Sequence, residues 1–292
     1  MPYVHNQSFP VRHYECDMFG EVNHAHYLRY MQEAAFGASS AVGYSPARYA
    51  ELKLQWLAYE TDIEYLVPLV YGDTISVKTW VHDFRRVRSL RNYELTRNGQ
   101  MIARASTDWV LIDLERMFPA TIPDPIIEAY SGGDPVEPAP KRTPLPPAKI
   151  PENGLHIVER RVTWPEIDEA QHVNNAFYLN YAEDCEMQAM AAYGWPLAKL
   201  REQGANLVVR RHQIEYKQAA VLDDMLQIST WVAAMDETTL LRHIVVKRAA
   251  DGKLINRVRV LREWVDLESG QPAPIPDAYR QALEPNIIGK QP

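Results

Sequence analysis

Two carboxylates are the residues best placed to do chemistry, because each stands just ahead of a helical pattern and its surroundings recur. Asp17 opens Asp17-Met18-Phe19-Gly20-Glu21-Val22-Asn23-His24-Ala25-His26-Tyr27-Leu28-Arg29-Tyr30. Asp168 opens Asp168-Glu169-Ala170-Gln171-His172-Val173-Asn174-Asn175-Ala176-Phe177-Tyr178-Leu179-Asn180-Tyr181. Asp, Val-Asn, Ala and Tyr-Leu-x-Tyr return in register, shifted by 151 positions. An ionised Asp in such a place serves as a nucleophile or as a general base. The first N–H groups of a helix, helped by its dipole, stabilise an anion that develops beside them. Gly20, Val22, Asn23 and His24 in the first stretch, and His172, Asn174 and Asn175 in the second, are therefore the expected anion-stabilising and positioning residues. Gly20 gives its turn a backbone freedom that Gln171, at the matching place, does not offer.

The elements that must hold these residues follow from periodicity. Apolar positions through Met31, Ala34, Ala35, Ala38 and Ala41 predict a buried helix over about 22–42, closed by Gly43. A short helix follows Pro46. A first strand is expected over 11–16, and strands over 56–65, 73–83, 89–96 and 101–114. Asn98-Gly99 between two apolar runs is a hairpin signal, so the strands should form one antiparallel sheet. The second half repeats this order: Ile63-Glu64-Tyr65 returns as Ile214-Glu215-Tyr216, and Thr79-Trp80-Val81 as Thr230-Trp231-Val232. Seven prolines between 131 and 151 read as a linker. The expected division is a first domain over 1–130, a Pro-rich linker over 131–154 and a second domain over 155–292. Two long repeats point to paired globular domains, since solenoids use shorter units.

The formal charge of −7 argues against nucleic-acid binding. Two cysteines, Cys16 and Cys185, are too few for a disulfide framework and fit a reducing, cytoplasmic setting. No signal peptide is visible, and no apolar run approaches the roughly 20 residues of a membrane span. HExxH, paired CxxC, GxSxG and GxGxxG are all absent, so no metal and no other cofactor is called for.

A long helix against an antiparallel sheet, with Asp-x-x-Gly-x-Val-Asn-x-x-x-Tyr-Leu-x-Tyr at its entrance, resembles the hotdog-fold thioesterases of the 4-hydroxybenzoyl-CoA and acyl-ACP type. Asp17, Gly20, Val22 and Tyr27 resemble the former. Asp168 with His172-Val173-Asn174-Asn175 and Tyr178 looks more like the second domain of the latter. The resemblance implies an α+β protein of two tandem hotdog domains, each an antiparallel sheet wrapped around one long central helix. It also implies hydrolysis of an acyl-CoA or acyl carrier protein thioester in fatty acid metabolism, with Asp17 and Asp168 as catalytic residues and no metal. Further homo-oligomerisation of the fused pair would fit, since such units often stack. The chain departs from the plant-type pattern at Phe19 and Ala170, where that family has Asn, and at Ala219 and Ala220. A simpler, Asp-based site is the expectation. The rival readings are an acyl-binding or scaffold protein without turnover, and a hydratase or dehydratase acting on an acyl thioester.

Each residue has a plainer reading beside this one. An Asp before a helix usually caps or turns; Tyr27, Tyr30, Tyr178 and Tyr181 are at core spacing; Glu33 and Asp184 sit on a polar helix face. Phosphates of CoA, or the acidic surface of a carrier protein, ask for a basic patch. Arg85, Arg86, Arg88 and Arg91 are the candidates, against the alternative of a solvated sheet edge.

Overall fold

The computed structural model describes residues 3–132, 145, 150–151 and 154–287. The chain divides into two compact units, Met1–Pro144 and Leu145–Pro292. Most of the expected linker lies outside the described residues.

In the first unit, β1 (Val4–Pro10) is followed by one 3-10 turn (His13–Glu15), α1 (His24–Ala41) and α2 (Pro46–Glu51). Then come β2 (Leu54–Tyr65), β3 (Thr74–Arg85), β4 (Arg88–Arg97), β5 (Gln100–Asp113), the short β6 (Phe118–Pro119) and α3 (Asp124–Ser131). The main strands pair antiparallel in the order β1-β3-β4-β5-β2. Asn98 and Gly99 both take positive φ, 51° and 81°, as the tight turn between β4 and β5 demands. The strand expected over 11–16 is instead the 3-10 turn, and the real first strand lies earlier. Its alternation of exposed and half-buried residues is that of an edge strand with little apolar signal.

The second unit repeats the plan: β7 (His156–Arg161), a 3-10 turn (Trp164–Glu166), α4 (Phe177–Ala192) and α5 (Leu197–Glu202). β8 (Ala205–Tyr216), β9 (Met225–Met235), β10 (Thr239–Arg248), β11 (Leu254–Asp266) and α6 (Asp277–Leu283) complete it. Its order is β7-β9-β10-β11-β8, again antiparallel. Among the described residues no helix is long and apolar enough to cross a membrane.

Curvature is also written twice. The register slips at Tyr59 and His82 in the first unit, and at Arg210 and Ala233 in the second. These positions match at the offset of 151. Each extra residue bends and twists its strand, which lets a sheet curl against a helix. The face of α1 that meets the sheet is made of small and aromatic residues: Ala25, Ala34, Ala35 and Ala38 beside Tyr27, Tyr30 and Met31. Alanine permits close approach of backbone at little cost to helix propensity. In the second unit Trp195, Trp264 and Tyr279 meet edge to face at centroid distances of 5.1–6.1 Å and anchor a core with Leu207, Leu240 and Leu283.

One half-buried and one buried imidazole make stability depend on pH. Burial lowers the pKa of His26 to about 4, with Arg29 adding to the shift and Glu15 opposing it. Burial, then Arg259 and Arg257, does the same to His243, also to about 4. In the unfolded chain both return to the ordinary value of 6.5. Between pH 6.5 and 4 the unfolded chain therefore binds protons that the folded chain refuses, and stability falls as pH drops through that window. Melting curves from pH 7 to 4 should show this slope, and His26→Gln should flatten it.

Candidate active site

Both Asp loops form by the same local rules. A bridge between Cys16 and Val22 closes the first, and one between Ile167 and Val173 closes the second. The Asp17 amide donates to the Glu21 carbonyl at 2.8 Å, and the Gly20 amide donates to the Asp17 carbonyl at 3.1 Å. Asp17 Oδ1 accepts from the Phe19 amide at 2.8 Å and the Glu21 amide at 3.3 Å. That side chain is thus the turn's own acceptor, with its carboxylate half-buried at the helix entrance. In the second loop, Asp168 and Gln171 donate to the His172 and Asp168 carbonyls at 3.0 Å each, and Asp168 Oδ1 accepts from the Ala170 amide at 3.0 Å.

The turn demands a left-handed residue at its fourth position. Gly20 supplies it at φ +79°. Gln171 does not escape the demand but adopts φ +62°, a conformation that costs an L-residue about 1–2 kcal/mol. The second loop therefore has the shape of the first with strain added, contrary to the expectation that Gln171 would change it. Gln171→Gly should raise stability by about 1 kcal/mol, readable as a higher urea midpoint.

The surroundings of the two carboxylates differ. Asp168 gathers side chains: Asn174 Nδ2 donates to its Oδ2 at 3.2 Å, and His172 Nδ1 lies 3.7 Å from its Oδ1. His172 Nδ1 is also 3.3 Å from the Val173 carbonyl, while its Nε2 is buried without a hydrogen-bond partner. At the place of His172 the first loop has Glu21. Burial, with the charge of Asp17 adding to it, holds the Glu21 carboxyl above the ordinary range, and His24 works against the shift. His24 itself stands edge-on to Tyr65, with ring centroids 4.6 Å apart, and forms an aromatic wall with Tyr27.

Several expected anion donors turn out to serve the fold. The Val22 amide donates to the Leu69 carbonyl at 2.8 Å and the Asn23 amide to the Glu15 carbonyl at 2.9 Å. Val173 and Asn174 repeat this with Ala220 and Glu166, both at 2.9 Å. These four amides are already bonded within their own unit. The Asn23 side chain caps α1 by accepting from the Ala25 amide at 3.0 Å, and Asn174 Oδ1 accepts from the Ala176 amide at 3.1 Å. The Asn175 carbonyl accepts from the Tyr216 hydroxyl at 3.3 Å.

The arginine cluster is more internally paired than its sequence suggests. Arg91 is buried, with Nη1 3.4 Å from Thr79 Oγ1 and its guanidinium 5.3 Å from the Tyr130 ring. Arg85 pairs with Asp83 and Asp108, and Arg88 with Asp108, all at 3.1–3.6 Å. Both aspartates are buried, so these cations compensate interior charge. Arg86 is exposed, and Arg85 and Arg88 each keep 34% of their side-chain surface.

Sequence reasoning missed Glu15 and Glu166. They lie two residues before each Asp at the same offset, are buried, and touch the loop from below. The offset was the available signal, since a buried glutamate has no periodicity of its own. Tyr27 and Tyr178, expected to pack, do so and also accept from the Leu69 and Ala220 amides at 3.3 Å. Glu33 and Asp184 are exposed, as a polar helix face requires. Among the described residues no group of three or more His, Cys, Asp or Glu gathers as metal ligands.

Comparison with known proteins gives each half a counterpart. Residues 2–130 match the family model of the acyl-ACP thioesterase N-terminal domain, and residues 162–283 that of the thioesterase-like superfamily. The chloroplastic acyl-[acyl-carrier-protein] hydrolase FATB2 of Cuphea viscosissima is 24% identical over 61% of this chain and 46% of its own length. The acyl-CoA thioesterase YbgC of Haemophilus influenzae is 28% identical over 42% of this chain and 93% of its own length. The chain spans about half the length of the chloroplastic relative. In fold it resembles the crystal structure of an acyl-ACP thioesterase from Bacteroides thetaiotaomicron, with a TM-score of 0.68 at 20% identity, covering 89% of this chain and 98% of that one.

Proposed function

We propose, from the premise that both halves of the chain belong to the hotdog-fold thioesterases, that this protein hydrolyses acyl thioesters to free acid and thiol. One observation carries the reading: a half-buried carboxylate, held by amides of its own turn, stands at the start of a buried helix, and does so twice. Asp17 and Asp168 are the working groups. Each either attacks the thioester carbonyl, expelling thiolate and leaving an anhydride for water to open, or takes a proton from the water that attacks. The positive ends of α1 and α4 favour the oxyanion that develops in either route. No step is assigned to a metal.

Acyl-CoA and acyl carrier protein thioesters are both substrates within this reading, since relatives of each kind match. Arg85 and Arg88 pair with buried aspartates and Arg91 is buried, which weakens the sequence argument for a phosphate-binding patch at these residues. Cys16 and Cys185 are free thiols, which favours a reducing compartment such as the cytoplasm. Self-association of the fused pair belongs to the same reading, and sedimentation would measure it. Release of free thiol from acyl-CoA and acyl carrier protein substrates, followed with a thiol reagent, tests the activity.

A further inference from the structure

The chemistry above leaves unused a buried glutamate beneath each Asp loop. Glu15 and Glu166 are 4% and 6% exposed and end the two 3-10 turns. Each carboxylate folds back to accept the amide three residues earlier, Arg12 in one case and Thr163 in the other, both at 2.7 Å. Each backbone carbonyl accepts an amide at the far end of the loop, that of Asn23, the N-cap of α1, or of Asn174, three residues before α4, at 2.9 Å. A single residue therefore ties the entry of the loop through its side chain and the exit through its backbone.

The carboxylate is satisfied further in both units. Tyr30 on α1 donates its hydroxyl to Glu15 Oε2 at 2.6 Å, and Arg12 Nη1 reaches Oε1 at 3.2 Å. Burial alone would raise the pKa of Glu15, but these bonds hold it below the ordinary value. In the second unit the Arg160 guanidinium takes the place of Arg12 on Glu166 and lies 3.9 Å above the ring of Tyr181, the counterpart of Tyr30. A buried ion costs desolvation that an apolar residue of similar volume would avoid. Packing alone gives no reason to keep a charge here twice, while Arg12 has become Thr163 and Glu21 has become His172 around it.

We propose that Glu15 and Glu166 are positioning residues: by pinning both ends of the loop, they set the direction of the Asp17 and Asp168 carboxylates toward the thioester. This rests on the hydrolase reading, and two readouts keep the claims apart. The first is amide hydrogen exchange in the full chain, which needs no activity. Glu15→Gln and, leaving the carboxylate in place, Tyr30→Phe should speed exchange at Phe19, Glu21 and Asn23 by about tenfold or more, with β4 unchanged. Unchanged loop rates would overturn the proposal, and so would equal acceleration across β4, which marks a general loss of stability.

The second readout is kinetic, with each Glu variant placed in a chain whose opposite loop carries Asp→Asn. Glu15→Gln should lower kcat by about 10- to 100-fold with little change in KM. In an Asp17→Asn background the same change should cost almost nothing more, because it acts through Asp17. A loss that simply adds to that of Asp17→Asn would overturn the proposal. Absence of hydrolysis in the unaltered chain would sink the hydrolase reading instead, and the exchange rates would still decide whether Glu15 holds the loop.

Discussion

Replacing both Asp17 and Asp168 by Asn is expected to reduce thioester hydrolysis by about 100-fold or more, the usual scale for losing a general base or nucleophile. The substitution is informative because so little else changes. The Asn side chain keeps an oxygen that still accepts the Phe19 and Glu21 amides now bound to Asp17 Oδ1, so the turn stays closed. What disappears is the charge, and with it the ability to attack a carbonyl or accept a proton. The single variants divide the activity between loops. Loss confined to Asp17→Asn would mean one working site, and loss shared between the two would mean that both turn over.

Asp168→Asn should also cost stability, for a reason visible in the geometry. Asn174 Nδ2 donates to Asp168 Oδ2 at 3.2 Å. In Asp168→Asn that oxygen becomes an NH2 group, and two donors face each other. An unsatisfied pair of this kind costs about 1–3 kcal/mol. Asp168→Asn should therefore lower the melting temperature, and kinetics should be taken well below the transition of each variant.

The largest expected effect on stability lies elsewhere, at Glu186 on α4. Its carboxylate is 1% exposed and is held between two buried guanidinium groups. Arg262 Nε and Nη2 donate to it at 3.2 and 2.8 Å, and Arg242 Nε lies 3.6 Å away. Arg262 also donates to the Leu207 carbonyl at 2.9 Å, and Arg242 to Asn286 Oδ1 at 2.9 Å. Removing the Glu186 carboxylate leaves two interior cations without the anion that lies between them. Glu186→Ala is expected to cost about 3–5 kcal/mol, the range for breaking a buried pair, seen as a large fall in the urea midpoint.

The first unit shows that the fold does not need this triad. At the matching positions it has Ala35, Arg91 and Trp109. Its one arginine rests against Thr79 and the Tyr130 ring instead. Replacing Glu186, Arg242 and Arg262 together by apolar residues should consequently cost far less than Glu186→Ala alone. The penalty comes from the stranded cations and not from loss of a strong attraction.

Much of this architecture was legible because the chain states it twice. The offset from Asp17 to Asp168 fixed the repeat, the alanine ladder through Ala34 and Ala38 marked α1, and Asn98-Gly99 marked the β4–β5 turn. The strand Val4–Pro10 escaped because its side chains alternate between exposed and half-buried, with no buried apolar row to signal it. The internal pairing within the arginine cluster was hidden for a different reason. Arg85 and Arg88 find their partner Asp108 only after β4 and β5 pair, and local sequence cannot show that their charge is already compensated. The amides of Val22 and Asn23 likewise looked available until the fold brought Leu69 and Glu15 to them. Hydrogen bonds made at a distance in sequence decide which groups remain for chemistry.

The most direct test of the central claim is free-thiol release by the unaltered chain from a panel of short, long and aromatic acyl-CoAs and acyl carrier protein thioesters. The account predicts release from at least one class, catalytic in enzyme and abolished when both aspartates are Asn. No release from any member of the panel, or release that survives the double Asn variant undiminished, would contradict it.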